Sequence, residues 1–337
     1  MSSTAKFQAV PTLVDVAQVF PKRRLLVVGN LVADHYIYGQ TDRVSREAPV
    51  LIVRYESSEV KLGGAANAAA NARSLGGQVL VVGALGADEM GQELRRQFKS
   101  AGIKLLAVRS KRMETETKTR ILAGGVNTTR QQMLRLDRGG GELARRQSKQ
   151  LARLTAEAAK SADAVVVSDY SVGALGEECR QVLRQLASDG MPVCVDSRFQ
   201  LRSFTGLTVC KPNEPELESL VRRTLKTERD LLQAGRAALK MLGCHALLVT
   251  RGRNGIAVFD REGRAELIPA YGPEEAVDVT GAGDTVIAAF TLALSAGAST
   301  LDAARIANVA AGLVVQKQGT ATVPRAELIR ELSRAKA

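Results

Sequence analysis

A chain of 337 residues that is 45% hydrophobic can bury a large core, either in one α/β domain with an insertion or in two domains. It has no run of about eighteen or more apolar residues, no leader pattern at its start, and no CxxC pair among Cys179, Cys194, Cys210 and Cys244, so the expectation is an unprocessed, soluble, cytoplasmic protein with reduced thiols and neither membrane span nor zinc site. The net charge of +12 is scattered among acids and aromatics make up only 4%, which argues against a nucleic-acid partner and for a solvated basic surface able to attract a phosphorylated small molecule.

Along the chain, LLVVG at 25–29 reads as a strand buried on both faces. The stretch 36–62 then alternates with period two, as a short antiparallel element would. VLVVGAL at 79–85 is a second buried strand, followed by a helical pattern over 88–101, and 115–136 returns to β-branched alternation. Beyond it, helices at 142–160, 177–189 and 228–241 are interleaved with AVVVSDY at 164–170, VCVDS at 193–197, LTVCKPN at 207–213 and ALLVTRG at 246–252. From about residue 284 the pattern is helical. Repeated βαβ units predict an α/β fold around a mostly parallel sheet. The stretches 36–62 and 115–136 are expected to form a small β-sheet lid, whose outer edge would pair two copies into a homodimer. No repeat or linker divides the chain, so one domain with a lid is expected over 10–330, with loose ends at 1–9 and 331–337.

The segment AVDVTGAGDTVIAAFTLALSAG at 276–297 carries the most chemical information. A strand-like stretch runs through glycines into an apolar helix, and the free N–H groups of a helix start bind anions. Gly281, Ala282 and Gly283 would form an anion hole, with Asp284 beside it. A carboxylate next to a phosphate is repelled unless it has work to do, and deprotonating a hydroxyl during phosphoryl transfer is such work. Asp284 also fits a helix-start acid with no catalytic part, and the motif alone leaves both readings open. The Walker pattern GxxxxGK[ST] is absent, and Val286 stands where a dinucleotide fingerprint needs a third small residue.

DVTGAGDTVIAAF closely resembles the C-terminal signature of the ribokinase-like (PfkB) carbohydrate kinases, and KLGGAANAAANARSLGGQVLVVGALGADEMG at 61–91 resembles their N-terminal signature. The resemblance runs from about residue 10 to 330 and implies a three-layer sandwich with a lid, ATP and Mg2+ as cofactors, and a sugar as acceptor. Several stretches are similar to the branch that phosphorylates D-glycero-D-manno-heptose 7-phosphate at its anomeric hydroxyl. They are VVGNLVADHYIYGQTDRVSREAPV at 27–50, TKTRILA and RQQMLRLD within 117–137, SDYSVGAL at 168–175 and KPNEPE at 211–216. With no nucleotidyltransferase segment in the chain, a stand-alone kinase is expected.

The resemblance implies Asp284 as base and residues 281–283 as anion hole. Asn213 and Glu216 match an NxxE motif that organises magnesium and phosphates, with Glu216 reaching the metal through water. Thr250, Gly252 and Gly255 would cradle the nucleotide, Asn308 would flank adenine, and Asn30, Asp34, Gly63, Gly64 and Asn67 would hold the sugar. Lys118, Arg120 and Arg135 on the lid are candidate clamps for a substrate phosphate. Plain structural readings exist beside these: GGAANA as a tightly packed helix start, Asn213 as a turn residue, and Lys118 with Arg120 as a solvated strand face. The chain departs from the family at Asn30, where Asp is usual, at Arg46, where Pro is common, and at VDSRFQLRSF over 195–204, where DPKG is common. Those departures bear on the sugar rather than on the reaction.

Overall fold

The computed structural model describes residues 11–334 apart from 111–112, 126–128, 171–172, 174 and 274, so the 1–9 end, part of the 115–136 stretch and part of SDYSVGAL lie outside the described residues. The elements in order are α1 (Leu13–Val19), β1 (Arg24–Val44), β2 (Leu51–Gly64), α2 (Ala65–Ser74), β3 (Gln78–Gly86), α3 (Glu89–Ser100), β4 (Lys104–Ser110), β5 (Glu114–Gly124), β6 (Gln131–Gly140) and α4 (Arg145–Ala159). They continue with β7 (Ala164–Asp169), α5 (Glu177–Ser188), β8 (Val193–Ser197), β9 (Val209–Cys210), α6 (Glu214–Val221), α7 (Glu228–Leu242), β10 (Ala246–Thr250), β11 (Ile256–Asp260), β12 (Ala265–Ile268), α8 (Ala282–Ser295), α9 (Thr300–Val314) and α10 (Arg325–Arg334).

The main sheet runs β12-β11-β10-β9-β8-β7-β1-β3-β4, parallel except that β11 is antiparallel to both its neighbours, β10 and β12. Its apolar runs divide by parity between two cores. Leu25, Val27, Val81, Val166 and Leu248 pack with α2, α8 and α9 on one face, while Leu26, Val28, Val82, Val167 and Leu247 pack with α4, α5 and α7 on the other. That division is the three-layer α/β sandwich the alternating pattern predicts. The helices are placed by local chemistry as well: α7 starts at a Thr227/Asp230 capping box, buries Leu231, Ala234, Ala238 and Leu242 at helical spacing, and stops at Gly243 with φ +60°.

Three expectations need correction. The strand at 25–29 and the first lid strand are one element: β1 pairs with β3 and β7 over 24–30, then leaves the main sheet and pairs with β2 and β5 over 31–44, bulging near Tyr38 and Thr41. Together with β6, which pairs with β5, it makes a four-stranded small sheet continuous with the large one. The strand expected over 207–213 shrinks to Val209–Cys210, because Pro212 has no N–H to extend the ladder. Residues 331–334, expected at a loose end, complete α10, held by the buried Leu328 and Leu332.

Candidate active site

The C-terminal ends of β7, β8, β9 and β10 bring Tyr170, Arg198, Lys211 and Thr250 to one edge of the sheet, the edge at which parallel α/β sheets bind ligands. The start of α8 closes this edge. Gly281 precedes the helix with φ +78°, and a Cβ there would lie 2.4 Å from Asn67 Nδ2, so only glycine fits. First-turn amides of a helix lack intrahelical acceptors, although Ala282 N–H already donates to Val279 O at 3.2 Å. An anion bound at this turn would therefore meet the amides of Gly281 and Gly283 more than that of Ala282.

Asp284 is 3% exposed, and its carboxylate accepts from side chains rather than from its own helix. Asn67 Nδ2 donates to Oδ2 at 2.9 Å and the Tyr170 hydroxyl donates at 3.2 Å. Asn71 Nδ2 donates to Asn67 Oδ1 at 3.1 Å and Thr285 Oγ1 donates to Asn71 Oδ1 at 2.9 Å, so α2 and α8 lock each other's polar groups in place. Burial pushes the Asp284 carboxyl up to about 7, helped by the charge of Asp196 and opposed by the Asn67 hydrogen bond and Lys211. A carboxyl poised there suits a general base at neutral pH.

On one side of this turn lies a cleft of about 710 Å³, lined by Asn213, Thr250, Gly252, Gly255, Ala282, Gly283 and Asn308 among others. Gly255 has φ +82°, and Asn308 Nδ2 donates to Pro269 O at 2.8 Å, which ties α9 to the end of β12. Asn213 and Glu216 form a reciprocal capping box at the start of α6, with Asn213 N–H donating to Glu216 Oε2 at 2.9 Å and Glu216 N–H donating to Asn213 Oδ1 at 2.8 Å. Glu216 lines an adjoining pocket with Asn213 and Arg198 rather than the main cleft. Burial and the neighbouring Asp196 raise the Glu216 carboxyl, against the pull of Lys211. Lys211 Nζ, itself buried, pairs with Asp196 Oδ2 at 2.9 Å, and a Cβ at Gly283 would touch both. Burial alone would lower Lys211, but Asp196, Glu216 and Asp284 outweigh it and the net shift is upward.

On the other side lies a cavity of about 160 Å³ lined by Asp34, Gly64, Gly281 and Asp284, with Lys118, Arg120, Arg135 and Arg198 also in its wall. Parallel pairing sets Val32 opposite Glu116, Asp34 opposite Lys118 and Tyr36 opposite Arg120, so alternate residues of β1 and β5 share one face. On that face each candidate phosphate clamp already holds a carboxylate. Arg120 Nη1 bonds Asp34 Oδ1 at 2.5 Å, Lys118 Nζ meets Glu116 Oε1 at 3.2 Å, and Arg135 makes a two-pronged pair with Asp137. Lys118 Nζ also sits 4.7 Å above the Tyr170 ring. Among the described residues Arg198 makes no ion pair, which leaves it the freest cation in the cavity wall. Gly63 and Gly64 are obligatory: a Cβ at 63 would lie 2.4 Å from Asp34 Oδ2, and Gly64 has φ +58° against Asn30 O. Asn30 is buried behind the cavity, its Oδ1 accepting from Tyr170 N–H at 2.9 Å.

Sequence reasoning missed Tyr170, Asp196, Arg198 and Lys211 as site residues. Each follows directly on a buried strand or, for Asp196, stands one residue before its end, and in a parallel sheet that position is itself the signal.

Two cavities of these sizes meeting at a helix start, with a buried carboxylate lining the smaller one, make a candidate group-transfer site with room for a large ligand beside a small one. The family model described as pfkB family carbohydrate kinase matches residues 22–326. The chain is 38% identical over 320 residues to the bifunctional protein HldE of Geotalea uraniireducens, covering 93% of this chain and 63% of that protein. It is 41% identical to the protein of the same name from Aeromonas salmonicida, covering 93% and 64%. The chain thus spans just under two thirds of these relatives' length. Arabidopsis thaliana ribokinase complexed with ribose and ATP superposes with a TM-score of 0.71 at 23% identity, over 92% of this chain and 98% of that one. Escherichia coli phosphofructokinase-2 in complex with potassium gives 0.77 at 19% identity, over 94% and 100%. These two likenesses speak for the fold. The protein belongs to the pfkB family of carbohydrate kinases and has the ribokinase-like α/β fold.

Proposed function

We propose that this carbohydrate kinase transfers the terminal phosphoryl group of ATP to the anomeric hydroxyl of D-glycero-D-manno-heptose 7-phosphate, giving the 1,7-bisphosphate. The observation that carries the reading is the position of the α8 start. Ala282 and Gly283 face the larger cleft, which suits a nucleotide, while Gly281 and Asp284 face the smaller cavity, which suits a sugar. A hydroxyl bound beside Asp284 gives up its proton to the carboxylate as its oxygen attacks in line. The amides of Gly281 and Gly283 take up the charge that develops on the transferred group. Asn67 and Tyr170 aim the carboxylate, and Lys211, held by Asp196, keeps a positive charge beside Gly283.

Among the described residues no three His, Cys, Asp or Glu side chains stand together as a metal centre. Mg2+ often needs only one or two carboxylates beside nucleotide phosphates and water, so the residues present fit it. Glu216, with Asp196 near, would hold the ion through water, where it would neutralise phosphate charge.

The seven-carbon phosphate is favoured over a free sugar by the cations around the small cavity, Arg198 above all, and by the stretches that resemble heptose phosphate kinases. Its occurrence in the cytoplasm fits the ATP requirement and the four free thiols. The small sheet exposes Val44, Leu51 and Tyr55 on one side and Met133, Leu134 and Leu136 on β6, which supports pairing of two copies there. ADP release measured over a panel of sugars and sugar phosphates tests the substrate. Turnover of hexoses, ribose or nucleosides with none of the heptose phosphate would replace it with another acceptor of the same family.

A further inference from the structure

Beside the small cavity, one buried and one largely buried side chain end in polar atoms with no partner among the described residues. Asn30 is 2% exposed, and while its Oδ1 is bonded to Tyr170 N–H, its Nδ2 has no acceptor among the described residues. Glu116 on β5 has a side chain 10% exposed, and while Oε1 meets Lys118, Oε2 has no donor among the described residues. Both residues line the same pocket of about 10 Å³, whose apolar walls include Leu31, Ala84 and Met113. That volume is close to one water-sized sphere. Burial raises the Glu116 carboxyl even against the pull of Lys118, as expected for an oxygen stripped of water without a donor.

An unmet donor and an unmet carboxylate oxygen around one small hole select their occupant by chemistry. An ammonium has nothing to offer Asn30 Nδ2, and a carboxylate or phosphate would be repelled by Glu116. A hydroxyl accepts from the first and donates to the second. No residue lines both this pocket and the sugar cavity, but their walls touch, Asn30 O lying against Gly64 and Glu116 pairing with Lys118. Glu116 shares the β5 face with Lys118 and Arg120, Lys118 lies over the Tyr170 ring, and Tyr170 bonds Asn30 on one side and Asp284 on the other.

We propose that Asn30 Nδ2 and Glu116 Oε2 form a hydroxyl-selecting subsite of the sugar cavity, which makes Glu116 a specificity-determining residue of this kinase. The proposal rests on the kinase reading given above but not on the identity of the sugar. Lys118 takes a second part in it: by holding Oε1 it leaves Oε2 as the oxygen still to be met.

The test uses the full chain and whichever acceptor the ADP-release panel shows to be best, so that failure of the heptose assignment appears in the panel and not here. Single-deoxy analogues of that acceptor are compared on wild type, Glu116→Gln and Glu116→Ala. One deoxy position is expected to lose kcat/KM by about tenfold to a hundredfold on wild type, the scale on which a site built to bond a hydroxyl penalises its loss. On Glu116→Ala that same analogue should lose less than about threefold further, the two deletions overlapping, with KM rising rather than kcat falling. Glu116→Gln keeps the shape and replaces an acceptor with a donor, and it should behave like the alanine variant if the hydroxyl donates to this oxygen. Equal sensitivity of wild type and both variants to every deoxy analogue would overturn the proposal and leave the pocket as the seat of a structural water. Absence of any sensitive position on wild type would do the same, even if neither variant folded.

Discussion

Replacing Asp284 with asparagine separates the cost of the buried carboxyl from its use. Its folded value of about 7 lies above the ordinary 3.8, so between those values the folded chain binds more protons than the unfolded chain and stability falls as pH rises. The contribution is fully present below about pH 4 and gone above about pH 7. Between pH 5 and pH 7 the slope is close to one proton, about two units at 1.36 kcal/mol each, so wild type loses about 3 kcal/mol from this group by pH 8. An amide pays none of it, is nearly isosteric, and can still accept from Tyr170 or Asn67. With an unfolding entropy of about 2.1 cal/mol/K per residue over 337 residues, the melting temperature of Asp284→Asn should gain about 4 °C on wild type between pH 5 and pH 8. Thermal melts of both proteins at the two pH values check this. In steady state the variant should bind ATP normally and turn over about a hundredfold or more slower, while wild-type kcat/KM should rise with pH to a plateau with its midpoint near 7. A melting difference that is the same at both pH values would refute the buried-carboxyl account, and a near-normal rate would refute the base.

Two further substitutions probe the surroundings of that carboxyl. Gly281→Ala forces a side chain onto a φ of +78° and against Asn67 Nδ2, and should cost about 1–2 kcal/mol from the left-handed backbone alone, read by denaturant unfolding. Because Asn67 aims Asp284, turnover should fall further than stability does, and an active, merely less stable variant would show that the aim is not set there. Arg198→Ala should raise KM for the sugar phosphate by about tenfold or more, the worth of one charge-assisted bond, and leave KM for an unphosphorylated sugar unchanged. A rise in KM for ATP instead would place Arg198 on the nucleotide's phosphates.

Layering was legible in the sequence because burial on both faces leaves a mark in each strand: VVVSD at 165–169 has no polar alternation, and only a sheet covered on both faces permits that. Asp284 could be singled out but not assigned, since a helix-start acid and a general base occupy the same place in the chain. The geometry argues against a cap, because its oxygens go to Asn67 and Tyr170 and not to amides of its own helix, and the base is the role proposed for it. Asn213 and Glu216 show the opposite case, an NxxE pair whose visible bonds all serve a capping box, so any part it takes with phosphates comes on top of a structural one. What stayed illegible is pairing. Lys118, Arg120 and Arg135 read as three clamps in one strand pair, yet which carboxylate each meets is set by the register of β1 against β5 and β5 against β6, which no local pattern encodes. Lys211 and Asp196 are likewise brought together only by the neighbouring ends of β8 and β9. The pairing also changes the meaning of the charge. A lid face of cations matched by Asp34, Glu116 and Asp137 is close to neutral, so it cannot hold phosphate by charge alone, and a phosphorylated sugar must either displace a carboxylate or find the unpaired Arg198. On the proposed reading, specificity for a sugar phosphate depends less on how many cations face the sugar than on which of them are left unmatched.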